Sequence, residues 1–395
     1  MSATTLLWLI TGALMLQPLS TDLYLASLPH LAIYFEVTPA AIQQTLSLFV
    51  IGFGTAQLIS GPLSDRFGRR PVMLAGLAVY VAGSLACAAA PVLPALLSAR
   101  FVQAIGCCTA VVVARAIIRD AFDMAEGARF IARAYSLLSI TPLLGPIAGG
   151  YLQIAFGWRA AFFAHALFGV ALAAASLRWL EESNHERNPE ATRIAELRRS
   201  YAGVACTPAF WAYTLPGSLS FASIFVFISG SSFVLIRVLG VPTEYYGYCF
   251  AFGVLGYLAG TLICRRLLAR IGIERTLGVG TSISLGAGMA FAGLAIVGAH
   301  HWTVVLGSQF LTMLGHGINF PCAQSGAVAP FPRQAGAAAG LLGFSIMMAA
   351  LLAGTWVGFS HDGTLYPLAF TSAAVGASVF ASARALARYR AVASA

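Results

Sequence analysis

Residues 61–71 read GPLSDRFGRRP, a dense knot of charge between two apolar runs. Gly61, Pro62 and Pro71 disfavour helix, which predicts a turn bounded by two helix ends. Asp65 stands among Arg66, Arg69 and Arg70, with Gly68 between them, so the turn is cationic with one built-in anion. By residue type, the arginines hold such a turn on the cytoplasmic side of a membrane. Asp65 is suited to meet an arginine or a helix N-terminus in a contact that forms and breaks, a conformational latch. The plainer alternative is a solvated turn that only sets topology.

The composition around this stretch excludes most classes. Of 395 residues, 59% are hydrophobic and only 9% are charged, too little charge for a soluble surface. At about 20 residues per span there is room for about twelve membrane helices and no large soluble domain. The net charge of +9 comes from arginine alone, there being no lysine. It lies in short loops between apolar runs, which reads as topology and not nucleic-acid binding. Without lysine there is no phosphate-cradling Gly-x-x-x-x-Gly-Lys loop and no Schiff base. The seven cysteines show no C-x-x-C spacing and read as small hydrophobes. The first apolar run lacks a basic start and carries Asp22, so it reads as a first membrane helix and not a cleaved signal.

Twelve runs follow, at 5–28, 41–61, 72–90, 92–118, 130–154, 160–180, 209–236, 245–268, 275–298, 302–325, 336–358 and 364–386. They fall into two sets of six, giving domains at 1–180 and 209–395 joined by a charged linker at 181–208 that includes Glu186. Arg119, Arg129, Arg133, Arg265, Arg266, Arg270, Arg275, Arg384, Arg388 and Arg390 lie on the same side as the 61–71 turn and the linker. Only Arg159 and Arg237 lie opposite. Both termini are therefore expected in the cytoplasm. The turn at 265–270 sits where the second half should repeat residues 61–71, but it has no aspartate, so any latch is asymmetric.

Ionisable residues inside the runs are functional candidates by default. Asp22 in the first run lies ~9 Å inside its outer end, and Arg100 in the fourth lies ~10 Å deep, counted at 1.5 Å per residue. The two runs point in opposite directions, so acid and base share a depth and imply a polar cavity between them. Burial disfavours a charged carboxyl and a nearby guanidinium favours it, which is the chemistry of proton coupling. A static ion pair is the alternative. Gln103 lies one turn from Arg100 and is placed to hydrogen-bond in the same site.

These stretches carry a resemblance. Gly61, Leu63, Asp65, Arg66, Gly68, Arg69 and Arg70 resemble the loop motif of the major facilitator superfamily, which implies twelve helices and alternating access. Residues 20–29, STDLYLASLP, resemble the D-x-Y-L-x-x-L-P segment of its bicyclomycin/chloramphenicol-resistance type of drug:proton antiporter, through Asp22, Tyr24, Leu25, Leu28 and Pro29. Ala26 departs from the proline usual there. Residues 100–106, RFVQAIG, are similar to that family's R-x-x-Q-x-x-G motif, implicated in proton transfer. Residues 145–150, GPIAGG, match the core associated with exporters. By chemistry alone, Gly145, Gly149 and Gly150 allow close helix approach and Pro146 favours a bend, features useful in a gate and also found in static bundles.

An exporter of amphiphiles needs an apolar, aromatic cavity with few polar groups. Tyr24, Gln103, Phe221, Phe225, His316, Asn319, Phe344 and Met347 are the candidate lining, although aromatic stripes of this kind more often pack or face lipid, and His316 more readily reads as a hydrogen-bonded packing histidine than as a second proton site. The expectation is an all-α membrane protein that is not an enzyme and exchanges protons for small drugs across a bacterial inner membrane. Asp22 would carry the proton and Arg100 would tune it. No cofactor is expected, the proton gradient being the drive. The partners are drugs, protons and the lipid bilayer, with no nucleic acid, and the protein is a monomer. Proton-linked metabolite uptake is the rival.

Overall fold

The computed structural model describes residues 2–122, 126, 130, 133–134, 137–138, 140–185, 187–331, 334–387 and 389. Arg129, Glu186, Arg388 and Arg390, assigned above to cytoplasmic segments, lie outside the described residues. The helices are α1 (Ala3–Asp22), α2 (Leu28–Tyr34), α3 (Pro39–Phe67), α4 (Arg69–Ala89), α5 (Leu93–Ala121), α6 (Ile140–Phe156) and α7 (Arg159–Trp179). They continue as α8 (Ile194–Ala205), α9 (Pro208–Ser232), α10 (Thr243–Ile296), α11 (Trp302–Val328), α12 (Ala335–Ser360) and α13 (Tyr366–Ala385). Among the described residues there is no strand. This is the all-α membrane fold expected.

Nine of these segments are long and apolar enough to cross a membrane. One of them, α10, is two spans in a single trace, interrupted where Gly272 takes φ 73°. With the shorter α6 and the more polar α11 added, the described residues supply the twelve spans expected.

The opening stretch differs in detail from its reading. α3 runs through Gly61 and Pro62 to Phe67, and the chain breaks only at Gly68, with φ 102°. Pro62 withholds one hydrogen bond from a helix that membrane packing otherwise sustains. Pro71 falls in the first turn of α4, where a missing N–H costs nothing. A single left-handed glycine thus joins the second span to the third, and Gly272 does the same in the second half.

The first run also differs, because α1 stops at Asp22. A 3-10 turn at Leu25–Ser27 follows, and α2 starts at Leu28. The ring of Pro29 would strike the carbonyl four residues earlier in an unbroken helix, so residues 23–27 leave the helical path.

The chain divides into two compact units, residues 1–31 with 48–199 and residues 32–47 with 200–395. In the first, α1 packs on α5, α6 and α7, and α4 packs on α5 and α7. The α4–α5 contact is backbone-close, since a Cβ on Gly106 would lie 2.3 Å from the Tyr80 nitrogen. In the second, α9 is the central helix against α11, α12 and α13, while α10 holds α11 and α13.

Candidate functional site

The break in the first span defines the site. Asp22 is the last residue of α1 and is 4% exposed. The Thr21 hydroxyl donates to its Oδ1 at 2.8 Å. α6 covers the break with its glycine face. A Cβ on Gly145 would sit 3.4 Å from the Asp22 Cβ, and one on Gly149 would sit 1.9 Å from the Leu23 carbonyl oxygen. Pro146 and Gly150 are buried in the same helix. The 145–150 motif is therefore the surface against which the chain at Asp22 and Leu23 rests.

Arg100 reaches the same segment from α5. Its side chain is fully buried. One guanidinium NH donates to the Ser20 carbonyl at 3.1 Å and to Gln103 Oε1 at 2.6 Å. Aromatic faces enclose the cation, with Tyr24, Phe49 and Phe162 ring centres 4.6, 4.4 and 5.8 Å away. Cation–π contact of this kind strengthens when desolvated. Gln103 passes the network on, its amide NH2 donating to Ser84 Oγ at 2.8 Å and facing His165 Nδ1 at 3.4 Å. His165 Nε2 lies 3.0 Å from the Leu19 carbonyl, and Ser20 Oγ is 2.8 Å from the Tyr80 hydroxyl.

The acid and base expected to form a pair meet the same stretch of α1 without meeting each other. Among the described residues no ion pair joins Asp22 to Arg100. Asp22 turns to the glycines of α6, whereas Arg100 bonds the backbone two residues earlier, toward α5 and α7. The guanidinium is committed to the Ser20 carbonyl and Gln103, while the Asp22 carboxyl accepts from its own neighbour Thr21 at the end of α1. The sequence reading passed over His165, Tyr80 and Ser84. A histidine inside an apolar span was the available signal.

The charged stretch is a worked junction. Arg69 is 6% exposed. It bridges two carboxylates, Asp65 Oδ1 at 2.5 Å and Asp120 Oδ2 at 2.7 Å, and also reaches Ser64 Oγ at 2.7 Å. Glu182, just after α7, caps α4, accepting from the backbone N–H of Arg69 at 2.8 Å and of Arg70 at 3.2 Å. A carboxylate there satisfies orphan donors and complements the helix dipole. The Arg70 guanidinium donates to the Leu177 carbonyl at 3.0 Å, and Arg66 donates to Thr192 Oγ1. Asn184 and Asn188 donate to the Asp65 carbonyl, both at 3.0 Å. The start of the linker is thus laid along the turn, which residue types alone did not reveal.

In the second unit four of the candidates do gather. His316 Nδ1 lies 3.1 Å from Ser220 Oγ, and Asn319 donates to Ser220 Oγ at 3.3 Å and Ser284 Oγ at 3.2 Å. Phe221, Phe320 and Tyr257 surround the imidazole, with centres 6.0, 5.0 and 5.8 Å away. Phe225 stacks on Phe221 at 6.5 Å. Phe344 stands apart from this cluster, lining an apolar groove of about 970 Å³ with Leu215, Leu352, Trp356 and Phe370. Those four are exposed, as side chains facing lipid would be. Met347 is buried and does not line the groove.

Comparison with known proteins agrees with this architecture. The Major Facilitator Superfamily profile matches residues 10–355. A bicyclomycin resistance protein homolog from Haemophilus influenzae is 28% identical over 360 residues, covering 91% of this chain and 90% of its own. Multidrug resistance protein MdtL of Escherichia coli is 28% identical over 332 residues, covering 84% and 82%. Among solved structures, a D-xylose-proton symporter superposes with TM-score 0.75 at 14% identity, covering 98% of each chain. The human organic anion transporter MFSD10 does so with TM-score 0.72 at 18% identity, over 98% of this chain and all of its own (100%). At these identities the structures speak to fold alone. Matched over most of its length and built of apolar helical spans, the chain belongs to the Major Facilitator Superfamily and is a membrane transport protein, not an enzyme.

Proposed function

We propose that this protein exports small amphiphilic drugs in exchange for protons across a bacterial inner membrane, by alternating access of halves 1–180 and 209–395 about the linker at 181–208. The observation that carries the reading is the Asp22 carboxylate, buried at a broken helix against the glycine face of α6. A buried carboxyl beside a backbone break is suited to take up and release a proton as the surrounding helices move. The drug-resistance names of the relatives support the direction of transport. In this scheme Arg100 holds the backbone of α1 beside the carboxylate, and the Asp65–Arg69–Asp120 junction steadies the cytoplasmic end. Phe221, Phe225, His316 and Asn319 supply an aromatic wall with directed polar atoms.

Both termini and the linker face the cytoplasm in this reading, following the arginine distribution. The test is a susceptibility panel of phenicols, bicyclomycin, sulfonamides and cationic dyes in an efflux-deficient host, with and without the chain. Protection against at least one compound is expected, and Asp22→Asn should abolish it with the protein still present in the membrane. Full protection by Asp22→Asn would remove the carboxylate from coupling. Net accumulation of the compounds would favour proton-linked uptake instead.

A further inference from the structure

His165 is buried completely in α7 and has hydrogen-bonding neighbours at both ring nitrogens. Its protonation follows from its partners by elimination. A guanidinium only donates, so the Gln103 atom 2.6 Å from Arg100 is the carbonyl oxygen. The Gln103 NH2 therefore faces Ser84 and His165, and Nδ1 must accept. Nε2 meets the Leu19 carbonyl and must carry the hydrogen. The ring is thus the neutral Nε2–H tautomer, with Nδ1 accepting from the Gln103 amide and Nε2–H donating to the Leu19 carbonyl.

A second proton does not fit this arrangement. If the Nδ1 lone pair takes a proton from the aqueous phase, an N–H points at the Gln103 NH2, donor against donor. Turning the amide over presents Oε1 to the imidazolium and to the Ser84 hydroxyl. It also presents the NH2 to Arg100, which then has to leave Gln103. One amide cannot serve two cations.

We infer that His165 is a second proton-holding group of the transporter, and that a proton on its Nδ1 and the Arg100–Gln103 hydrogen bond exclude each other. The Leu19 carbonyl held by His165 also accepts the Leu23 N–H at 3.2 Å, closing the last turn of α1 around Asp22. Loading His165 is therefore tied to the backbone beside the primary carboxylate. Charged or titratable groups on the elements around the ring include Arg100, Cys107 and Cys108 on α5, Tyr80 and Cys87 on α4, Tyr151 on α6, Asp22 on α1 and Tyr24 beyond it, with Arg69, Arg70, Arg115, Arg119 and Asp120 toward the far ends of α4 and α5. Of these, Arg100 is the one linked to the imidazole through Gln103. The role in transport rests on the proton-exchange reading above, whereas the exclusion itself does not.

The exclusion is tested on the full chain in lipid nanodiscs by nitrogen-15 histidine NMR, with His165→Asn identifying the signal among the seven histidines. At neutral pH the wild-type ring should show protonated Nε2 and bare Nδ1. In Arg100→Leu the amide is free to turn, and the doubly protonated ring at pH 6 should rise by about tenfold relative to the neutral one, the scale of one charged hydrogen bond. In the Gln103→Leu background the same Arg100 change should have less than about a third of that effect, because the shared amide is gone. A Nδ1–H tautomer in the wild type, or an equal rise in both backgrounds, overturns the exclusion.

The role in transport is read in everted vesicles as protons released per ethidium taken up. Asp22→Asn should abolish the coupled flux. His165→Asn keeps an acceptor for Gln103 but cannot hold the proton, and should lower the ratio about twofold if two groups carry protons. An unchanged ratio in His165→Asn overturns the proton-holding role and leaves the antiport reading standing. If the wild type moves no ethidium, dye antiport fails while the NMR outcome still decides the exclusion.

Discussion

Arg100 shows why a residue in this site is more than its charge. Its guanidinium shares one edge between a backbone carbonyl and Gln103 and lies among three aromatic rings. Lysine would keep the charge, but its point-like ammonium lacks the planar fork and the stacking face. We expect Arg100→Lys to lose one charged hydrogen bond, about 1.5–3 kcal/mol, and so to lower drug export by roughly tenfold or more. Export rates at equal membrane abundance check this, and export within twofold of wild type would deny Arg100 a geometric role. Asp22, Arg100 and Gln103 were legible in the sequence because polar groups in an apolar run are costly and stand out. His165 stands out by the same rule, yet an isolated histidine in a helix is equally compatible with packing. Its partners come from Leu19 and Gln103, remote in the chain, and no spacing rule joins them.

At the scale of elements, the α1–α6 contact makes a sharp distinction between two glycines one helical turn apart. A methyl at Gly149 would fall 1.9 Å from a backbone oxygen, which cannot yield, whereas one at Gly145 meets ordinary van der Waals space at 3.4 Å. Overpacking of the first kind costs about 1–3 kcal/mol. Gly149→Ala should lower the unfolding midpoint in detergent and impair export, while Gly145→Ala should fold with an unchanged midpoint. Equal effects from the two would show that α6 does not seat as described. At the cytoplasmic end, Glu182→Ala removes the acceptor for two N–H groups of α4, and a lost cap costs about 1 kcal/mol. The same thermal assay should register it, and an unaltered midpoint would make the linker contact incidental. Hydropathy alone located α1 and α3 but missed the break after Asp22 and the continuity through Pro62. A hydropathy count registers neither feature: the break follows from the ring of Pro29, and α3 continues through Pro62 because helix packing outweighs one withheld hydrogen bond.

For the whole molecule, the arginine distribution makes a topological statement open to direct measurement. Cys206, beyond the end of α8, is exposed, while Cys87, Cys107, Cys108, Cys264 and Cys322 are buried. If the linker is cytoplasmic, a membrane-impermeant maleimide should label Cys206 in everted vesicles and fail to do so in spheroplasts. The Cys206→Ser variant identifies that signal. Labelling from the outside would invert the orientation and with it the direction assigned to transport.

Composition and hydropathy were sufficient to specify an all-α membrane protein with room for twelve spans. Burying polar groups in hydrocarbon is so unfavourable that the pattern leaves few alternatives. The local motifs were likewise enough to single out Asp22, Arg100, the 61–71 stretch and the glycines of α6. Their mutual arrangement was not. It took folding in three dimensions to separate Asp22 from Arg100, to set His165 against Gln103, to bring Glu182 onto the start of α4, and to place Phe344 in the apolar groove. Side-chain direction and long-range packing settle such contacts, and residue type, which governs where a group lies relative to water, does not say which neighbour it will find.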